Sequence, residues 1–350
     1  MSIFVKTLSD LVALFLQALR LSVVLPSFIL VGLNITVVWP LLEDTRFYRI
    51  LVEQESAVPI GIIVVFLVLL GAYVLAVLNI PIIRFFEGYP LLPYRIGKRL
   101  RTSNYRRILY LQEQVQRLDQ EAKRYQELAY EESDEETGHA LISARECEFM
   151  RNALNHELIW MYPHHQTWRV LPTRLGNAIA AAEEYPGHLF GIDSVTFWPF
   201  LAPILEKDGY ASFVEKEKTL LDFLLNMAVV TLFFGAELVY VDILLRRFDW
   251  ILSPAKMAAA LILAFCFYLL SIQGAISWGY TIRAAFVLYK EELHKRLGLQ
   301  PAEGYYHERV IWKYATRFYR DHDPTPAGYI FEYEPGNGEG QKKTEGGEKC

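Results

Sequence analysis

The stretch LLDFLLNMAVVTLFFGAELVYVDILLRR, Leu220 to Arg247, decides the fold. It is apolar over a membrane-spanning length, yet it carries Asp222, Glu237 and Asp242. Three other runs contain no charged residue: Leu21 to Leu42, Ser56 to Ile83 and Met257 to Ile282. They are about 22, 28 and 26 residues long, against the roughly 20 needed to cross a hydrocarbon core of about 30 Å. A single such run could be the buried helix of a soluble protein; three together argue against it. Hydrophobic residues make up 53% of the 350, and the mean hydropathy is positive. The chain therefore reads as an all-α integral membrane protein with four transmembrane helices.

Orientation follows from Lys and Arg near the span ends. Arg84, Arg95, Lys98, Arg99 and Arg101 follow the second span, and Arg283, Lys290, Lys295 and Arg296 follow the fourth. The 43–55 loop sets Arg46 and Arg49 against four acids, while Arg246, Arg247 and Lys256 are a mild dissent. On balance both termini and the long insert of this multi-pass chain are expected in the cytoplasm. The expected parts are an interfacial lead-in (1–20), spans one and two (21–83), a cytoplasmic helical domain (84–218) and spans three and four (219–287). A C-terminal helix with a short extended segment (288–333) and a disordered tail (334–350) complete the chain. The first apolar run is too long for a signal peptide and lacks a small-residue cleavage site.

The insert opens with two helical patterns. Ile108, Leu111, Val115, Leu118, Ala122, Tyr125 and Ala129 recur at alternating steps of three and four, a seam of the coiled-coil type. The acidic turn EESDEETG (131–138) closes that helix. A second helix follows, with Cys147, Met150, Leu154, Leu158 and Met161 on one face, until Pro163 stops it. An antiparallel coiled-coil-like hairpin fits both, serving either assembly with a partner or intrachain packing alone.

The block LPTRLGNAIAAAEEYPGHLFGIDSVTFWPFLAPIL (171–205) predicts a helix over 173–185, entered beside Pro172 and ended by Pro186-Gly187. Arg174, Asn177, Glu183 and Glu184, then Asp193 and Trp198, mark it as a specific surface, with Arg174 expected to pair with the two glutamates. The pattern LPTRLGN…AAEEY…FGIDSVTFWP resembles a central block of uncharacterised bacterial integral membrane proteins of similar topology. Their version runs on to an arginine after Trp-Pro, where this chain has Phe200. The resemblance covers roughly residues 84–205; it implies a bacterial cytoplasmic-membrane protein and no known activity.

Catalytic patterns are lacking. HELIWMYPHHQ (156–166) is not a zincin motif, because the fifth position is Trp160. Ser194 lacks the Gly-x-Ser-x-Gly elbow, and no glycine-rich phosphate loop precedes a helix. Glu183 and Glu184 are adjacent, hence about 100° apart on a helix, a poor acid–base geometry. Three scattered cysteines give neither a disulfide framework nor a zinc site. No enzyme, metal site or cofactor is expected.

The intramembrane acids remain. Asp242 has Arg246 four residues on and is expected to pair with it at the outer edge. Glu237 lies about 15 residues from Asp222, roughly 22 Å up the span at 1.5 Å per residue, with no cation on its helical face. Asn226 is eleven residues earlier and only about 20° around the helix, which makes a polar stripe. Asn34 is the candidate partner by depth, and Gln273 with Ser277 and Tyr280 would continue the lining. Such acids face a bundle interior or a water path. Two function classes follow: an oligomeric ion channel or conduit with a cytoplasmic assembly or gating domain, or a membrane-anchored scaffold or sensor binding a cytoplasmic partner through residues 171–205. The expected partners are the lipid bilayer, with a homo-oligomer or a cytoplasmic protein left open, and no nucleic acid.

Overall fold

The computed structural model describes residues 21–42, 60–131, 134–164 and 169–331. The expected lead-in (1–20), most of the first loop and the tail (334–350) lie outside them. In chain order the helices are α1 (Leu21–Leu41), α2 (Ile60–Val77), α3 (Asn79–Glu87), α4 (Arg95–Glu131), α5 (Asp134–Met161), α6 (Arg174–Phe190) and α7 (Ser194–Lys207). There follow α8 (Tyr210–Leu244), α9 (Leu252–Arg296), α10 (Tyr305–Asp321) and the single turn α11 (Ala327–Ile330). Among the described residues there is no strand beyond one bridge between Leu299 and Phe331. Four helical segments are long and apolar enough to cross a membrane: α1, α2 with α3, α8 and α9. The chain is an all-α multi-pass membrane protein.

Two compact units are built from this chain. One comprises residues 1–185 and 209–284, the other 186–208 and 285–350. The 171–205 block is thus divided between them.

In the first unit, α1 runs parallel to α8, because Ser22 meets Asn226 and Asn34 meets Glu237. α2 runs antiparallel to α1, with Ser27 Oγ donating to the Val68 carbonyl at 2.8 Å. Small residues sit at the crossings. A Cβ on Gly71 would overlap the Ser27 hydroxyl, and one on Gly235 would overlap Ala260. One on Gly274 would lie 3.3 Å from Leu221 Cα. Lipid tails are as apolar as leucine, so spans associate through such close approach and not through hydrophobicity. The helix breaks at Leu78 because Pro81 has no N–H to give and its ring crowds the carbonyl four residues back.

α4 and α5 form the antiparallel hairpin, tied by Arg107–Glu157, Asp119–Arg151 and Gln126–Glu148. On α4 the seam is the expected one, with Ile108, Leu111 and Ala122 buried. On α5 it differs: Ala140 and Ala144 are buried, followed at steps of three and four by Cys147, Arg151, Leu154, Leu158 and Met161. Met150, expected in the seam, is 55% exposed. Arg151 takes its place because it reaches Asp119 across the hairpin at 2.6 Å.

α6 does not end at Pro186 as expected. It runs on to Phe190 and stops at Gly191, whose left-handed φ of 81° lets the Gly191 and Ile192 amides reach the Gly187 and Pro186 carbonyls. In the second unit α7 and α10 pack through Phe197, Ile311 and Trp312, all at most 1% exposed. The expected extended piece after Pro324 is the helical turn α11 followed by the Phe331 bridge.

Candidate functional site

The polar side chains inside the bundle come from three depths. At one end, Asp222 is fully buried; Lys218, one turn earlier on α8, donates to it at 2.7 Å and Asn79 at the α2–α3 break donates at 3.1 Å. Beside it, Asn226 is also fully buried and gives its amide to the Ser22 carbonyl at 3.0 Å. Toward the other end, Asn34 Nδ2 donates to Glu237 Oε2 at 3.0 Å while also reaching the Leu30 carbonyl one turn back. Asn34 opens a π turn, Asn34–Val38, which widens α1 where Glu237 docks. Asn226 and Glu237 thus both face α1.

At the far end of α8, Asp242 is held by Lys256 at 2.7 Å and by the Ser253 hydroxyl at 2.6 Å. The expected partner, Arg246, is not the one that reaches it. α8 ends at Leu244 and Arg246 has φ of 55°, so it leaves the helical face it was assigned to by spacing. Beyond it, Asp249 caps α9, accepting from the Ile251 and Leu252 amides at 2.7 and 2.8 Å. Those two backbone bonds, Leu252's first, hold the Asp249 carboxyl below its usual range.

Gln273 does not join Glu237. α8 and α9 are antiparallel, with Gly235 beside Ala260 and Gly274 beside Leu221. Gln273 is therefore level with Asp222, about 22 Å from Glu237, and it is exposed. Tyr280 lies lower still, its hydroxyl 3.1 Å from His156 Nε2.

The LPTRLGN segment clamps the chain at the end of α3. Thr173 Oγ1 caps α6 by accepting from the Gly176 amide at 3.0 Å. Asn177, fully buried, accepts from the Leu171 amide at 2.7 Å and donates to the Leu171 and Thr173 carbonyls. A side chain at Gly176 would collide with the Glu87 carbonyl, and one at Gly88 would lie 2.8 Å from Thr173 Cγ2. The block's helical part is interior, with Ala178 to Ala182 all buried. Elsewhere in residues 171–205, Arg174, Val195 and Phe200 are exposed.

Glu183 and Glu184 pair with Arg169, at 2.9 and 3.9 Å, and not with Arg174 as expected. Arg174 precedes Glu183 by nine residues, which is half a turn around the helix, and it is exposed. Asp193 caps α7 through the Thr196 amide at 3.0 Å and takes Arg320 at 3.1 Å. Trp198 packs on Phe286 with ring centroids 6.3 Å apart.

Two arrangements carry no sequence motif. Glu87, Tyr89, Arg101, Arg169 and Glu183 line a cavity of about 250 Å³ at the end of α3. Burial first, then the Glu87 and Glu183 carboxylates, push the Tyr89 phenol above its usual pKa. Arg283, 5% exposed, donates to the Ile159 and Ala181 carbonyls at 2.8 and 3.0 Å and lies 3.8 Å from the Trp160 ring centroid. In sequence it counted as a cytoplasmic flanking charge; here its planar fork is locked inside the protein. Among the described residues no group of three His, Cys, Asp or Glu side chains converges to hold a metal ion. No family model, curated protein or solved structure matches this chain.

Proposed function

We propose that the chain is a membrane-anchored scaffold or sensor whose four spans hold a helical platform, α4 to α6, on the cytoplasmic face of a bacterial inner membrane. One observation carries this reading: the interval between the two polar levels of the bundle is filled by packed apolar side chains. Asn226 and Glu237 are eleven residues apart on α8, about 16 Å along the axis. Over that interval Val229 and Val230 pack with Val23, Leu30, Ala72 and Leu75. The hydroxyls of Ser27 and Thr231 at this depth are turned onto the Val68 and Met227 carbonyls. Asp222, Glu237 and Asp242 each have a partner in the same chain, which supports the spans serving as an anchor. The charged cavity lined by Glu87, Arg101, Arg169 and Glu183 offers the platform a site for a small polar ligand bearing both signs of charge. Lys and Arg flanking the second and fourth spans support the orientation, and the resemblance of residues 84–205 to bacterial membrane proteins supports the compartment.

A second reading, an oligomeric ion conduit with Glu237 in the path, draws on the π turn beside a half-buried carboxylate that has one hydrogen-bond donor among the described residues. Ion flux through purified protein in liposomes, wild type beside Glu237→Gln, separates the two. The scaffold reading expects none under any voltage or pH. Flux that is lost in the variant would sink it in favour of the conduit.

A further inference from the structure

One carboxylate at the end of α3 is enclosed without a partner. Glu87 is 8% exposed, and its side chain makes no hydrogen bond or ion pair among the described residues. The backbone that carries it is held in place. Its carbonyl lies against Gly176, and Gly88, with φ of 88°, turns the chain beside Pro172 and Thr173. The cations around the cavity are engaged elsewhere. Arg169 pairs with Glu183 at 2.9 Å, and Arg101 gives Nε to the Val170 carbonyl at 2.8 Å. Arg84, three residues before Glu87, lies over the Tyr89 ring, 5.7 Å from its centroid. A buried carboxylate that lacks a donor bears its desolvation cost unrepaid. A group that brings N–H donors and positive charge into this cavity would relieve it.

The lining fixes the chemistry of that group. Glu87, Tyr89 and Glu183 bring carboxylate and phenol oxygens to about 250 Å³ of space, against an apolar wall of Leu92, Leu171 and Ala180. Of the charges acting on the Tyr89 phenol, those of Glu87 and Glu183 are each stronger than those of Arg169 and Arg84. That end of the cavity therefore favours a cation. Two carboxylates and a phenol are too few oxygens for calcium, which takes six to eight. A quaternary ammonium has no N–H and would leave Glu87 as it stands. A primary ammonium has three donors and no acceptor. We infer that the cavity binds a primary ammonium group on a short stem, with Glu87 as its counter-ion and Tyr89 as a further acceptor. Arg101 and Arg169 line the same space and suit a phosphate carried by the same molecule. Such a group belongs both to small free amines and to an ethanolamine phospholipid headgroup, and the end of the second span is within reach of each. This ligand class rests on the reading of the cavity as the platform's site.

The test uses the full chain in nanodiscs of phosphatidylcholine and phosphatidylglycerol, titrated with ethanolamine phosphate or choline phosphate. The two probes differ in whether the nitrogen bears N–H groups or methyls; calorimetry and thermal unfolding read binding. Ethanolamine phosphate is expected to bind and to raise Tm, and choline phosphate to bind roughly tenfold more weakly or worse. Glu87→Gln keeps the shape of the side chain and should abolish that preference. Tyr89→Phe, at a position 39% exposed, should reduce it and decides the matter if Glu87→Gln does not fold. Nanodiscs that contain phosphatidylethanolamine separate the two sources. A seated headgroup raises the Tm of wild type but not of Glu87→Gln and blocks the soluble probe; with a free amine as ligand, the probe still binds at full strength. A preference that survives in Glu87→Gln overturns the inference. Equal binding of the two probes overturns the ammonium and keeps the cavity as a ligand site. Binding of neither, from solution or from the bilayer, overturns both.

Discussion

Asn34 on the first span and Glu237 on the third are 203 positions apart in sequence and 3.0 Å apart in space. The amide of one is the donor that the carboxylate of the other lacks on its own helix. Both lie where α1 opens into a π turn. The pair therefore joins two parallel spans at a depth where neither helix offers a cation.

Replacing Asn34 with leucine should cost about 1–2 kcal/mol, in the range of hydrogen bonds between membrane helices. Glu237→Gln keeps an acceptor for the Asn34 amide and should stay within about 0.5 kcal/mol of wild type. Unfolding in mixed micelles of increasing SDS fraction reads both. Equal losses in the two variants would mean that the bond is not what holds α1 to α8.

Gly176 tests the clamp at the end of α3. Any Cβ there meets the Glu87 carbonyl, which belongs to backbone and cannot swing aside. Gly176→Ala should destabilise by roughly 1–3 kcal/mol, the usual cost of overpacking. Gly61→Ala, where nothing lies within 4 Å, is the matched control and should be near neutral. Thermal melts of the two variants side by side decide the matter.

Arg283 should not tolerate lysine. Its guanidinium serves two carbonyls from one nitrogen while stacking on Trp160, and a lysine ammonium has no flat face to stack. Arg283→Lys is expected to lose roughly 2 kcal/mol, read by unfolding, with a change in tryptophan emission from the altered contact at Trp160. Unchanged stability would show the charge to be incidental.

The α9 cap should respond to acid. The folded-state pKa of Asp249 is depressed by its two backbone donors. Its contribution is therefore complete above the unfolded value of about 3.9 and fades as pH falls through the folded one. Stability curves of wild type and Asp249→Ala should differ at neutral pH and converge below about pH 4. Curves that stay parallel down to pH 2 would exclude the cap as the cause.

The spans were legible because absence of charge over a bilayer's thickness is a property of the string itself. Depth was legible too: a rise of 1.5 Å per residue matched Asn34 to Glu237 across two hundred positions. The same ruler misassigned Gln273, because on an antiparallel span it runs the other way, and level with Glu237 lies the Lys256–Ala260 end of α9. Arg174 was excluded by helical geometry that spacing along the chain hides, since nine residues reverse the face. Asn79 and Arg169 carried no signal. One is an amide in a run read only for charge, and the other lies outside the helix it neutralises. The two-faced pattern of α5 concealed Met150 for a related reason: apolar residues on opposite sides leave no unique stripe to read.

The parallel course of α1 and α8 sets an order of events during synthesis. α1 enters the membrane with the Asn34 amide and the Ser22 carbonyl awaiting partners 203 and 204 residues downstream. At roughly 5–20 residues per second, a ribosome needs on the order of 10–40 s to deliver them. For that time the nascent first hairpin presents polar groups to lipid or to the insertion machinery. The third span is then less a further crossing than the piece that closes an open joint. Quality control that senses unsatisfied amides in the bilayer would find α1, and not the finished bundle, as its substrate.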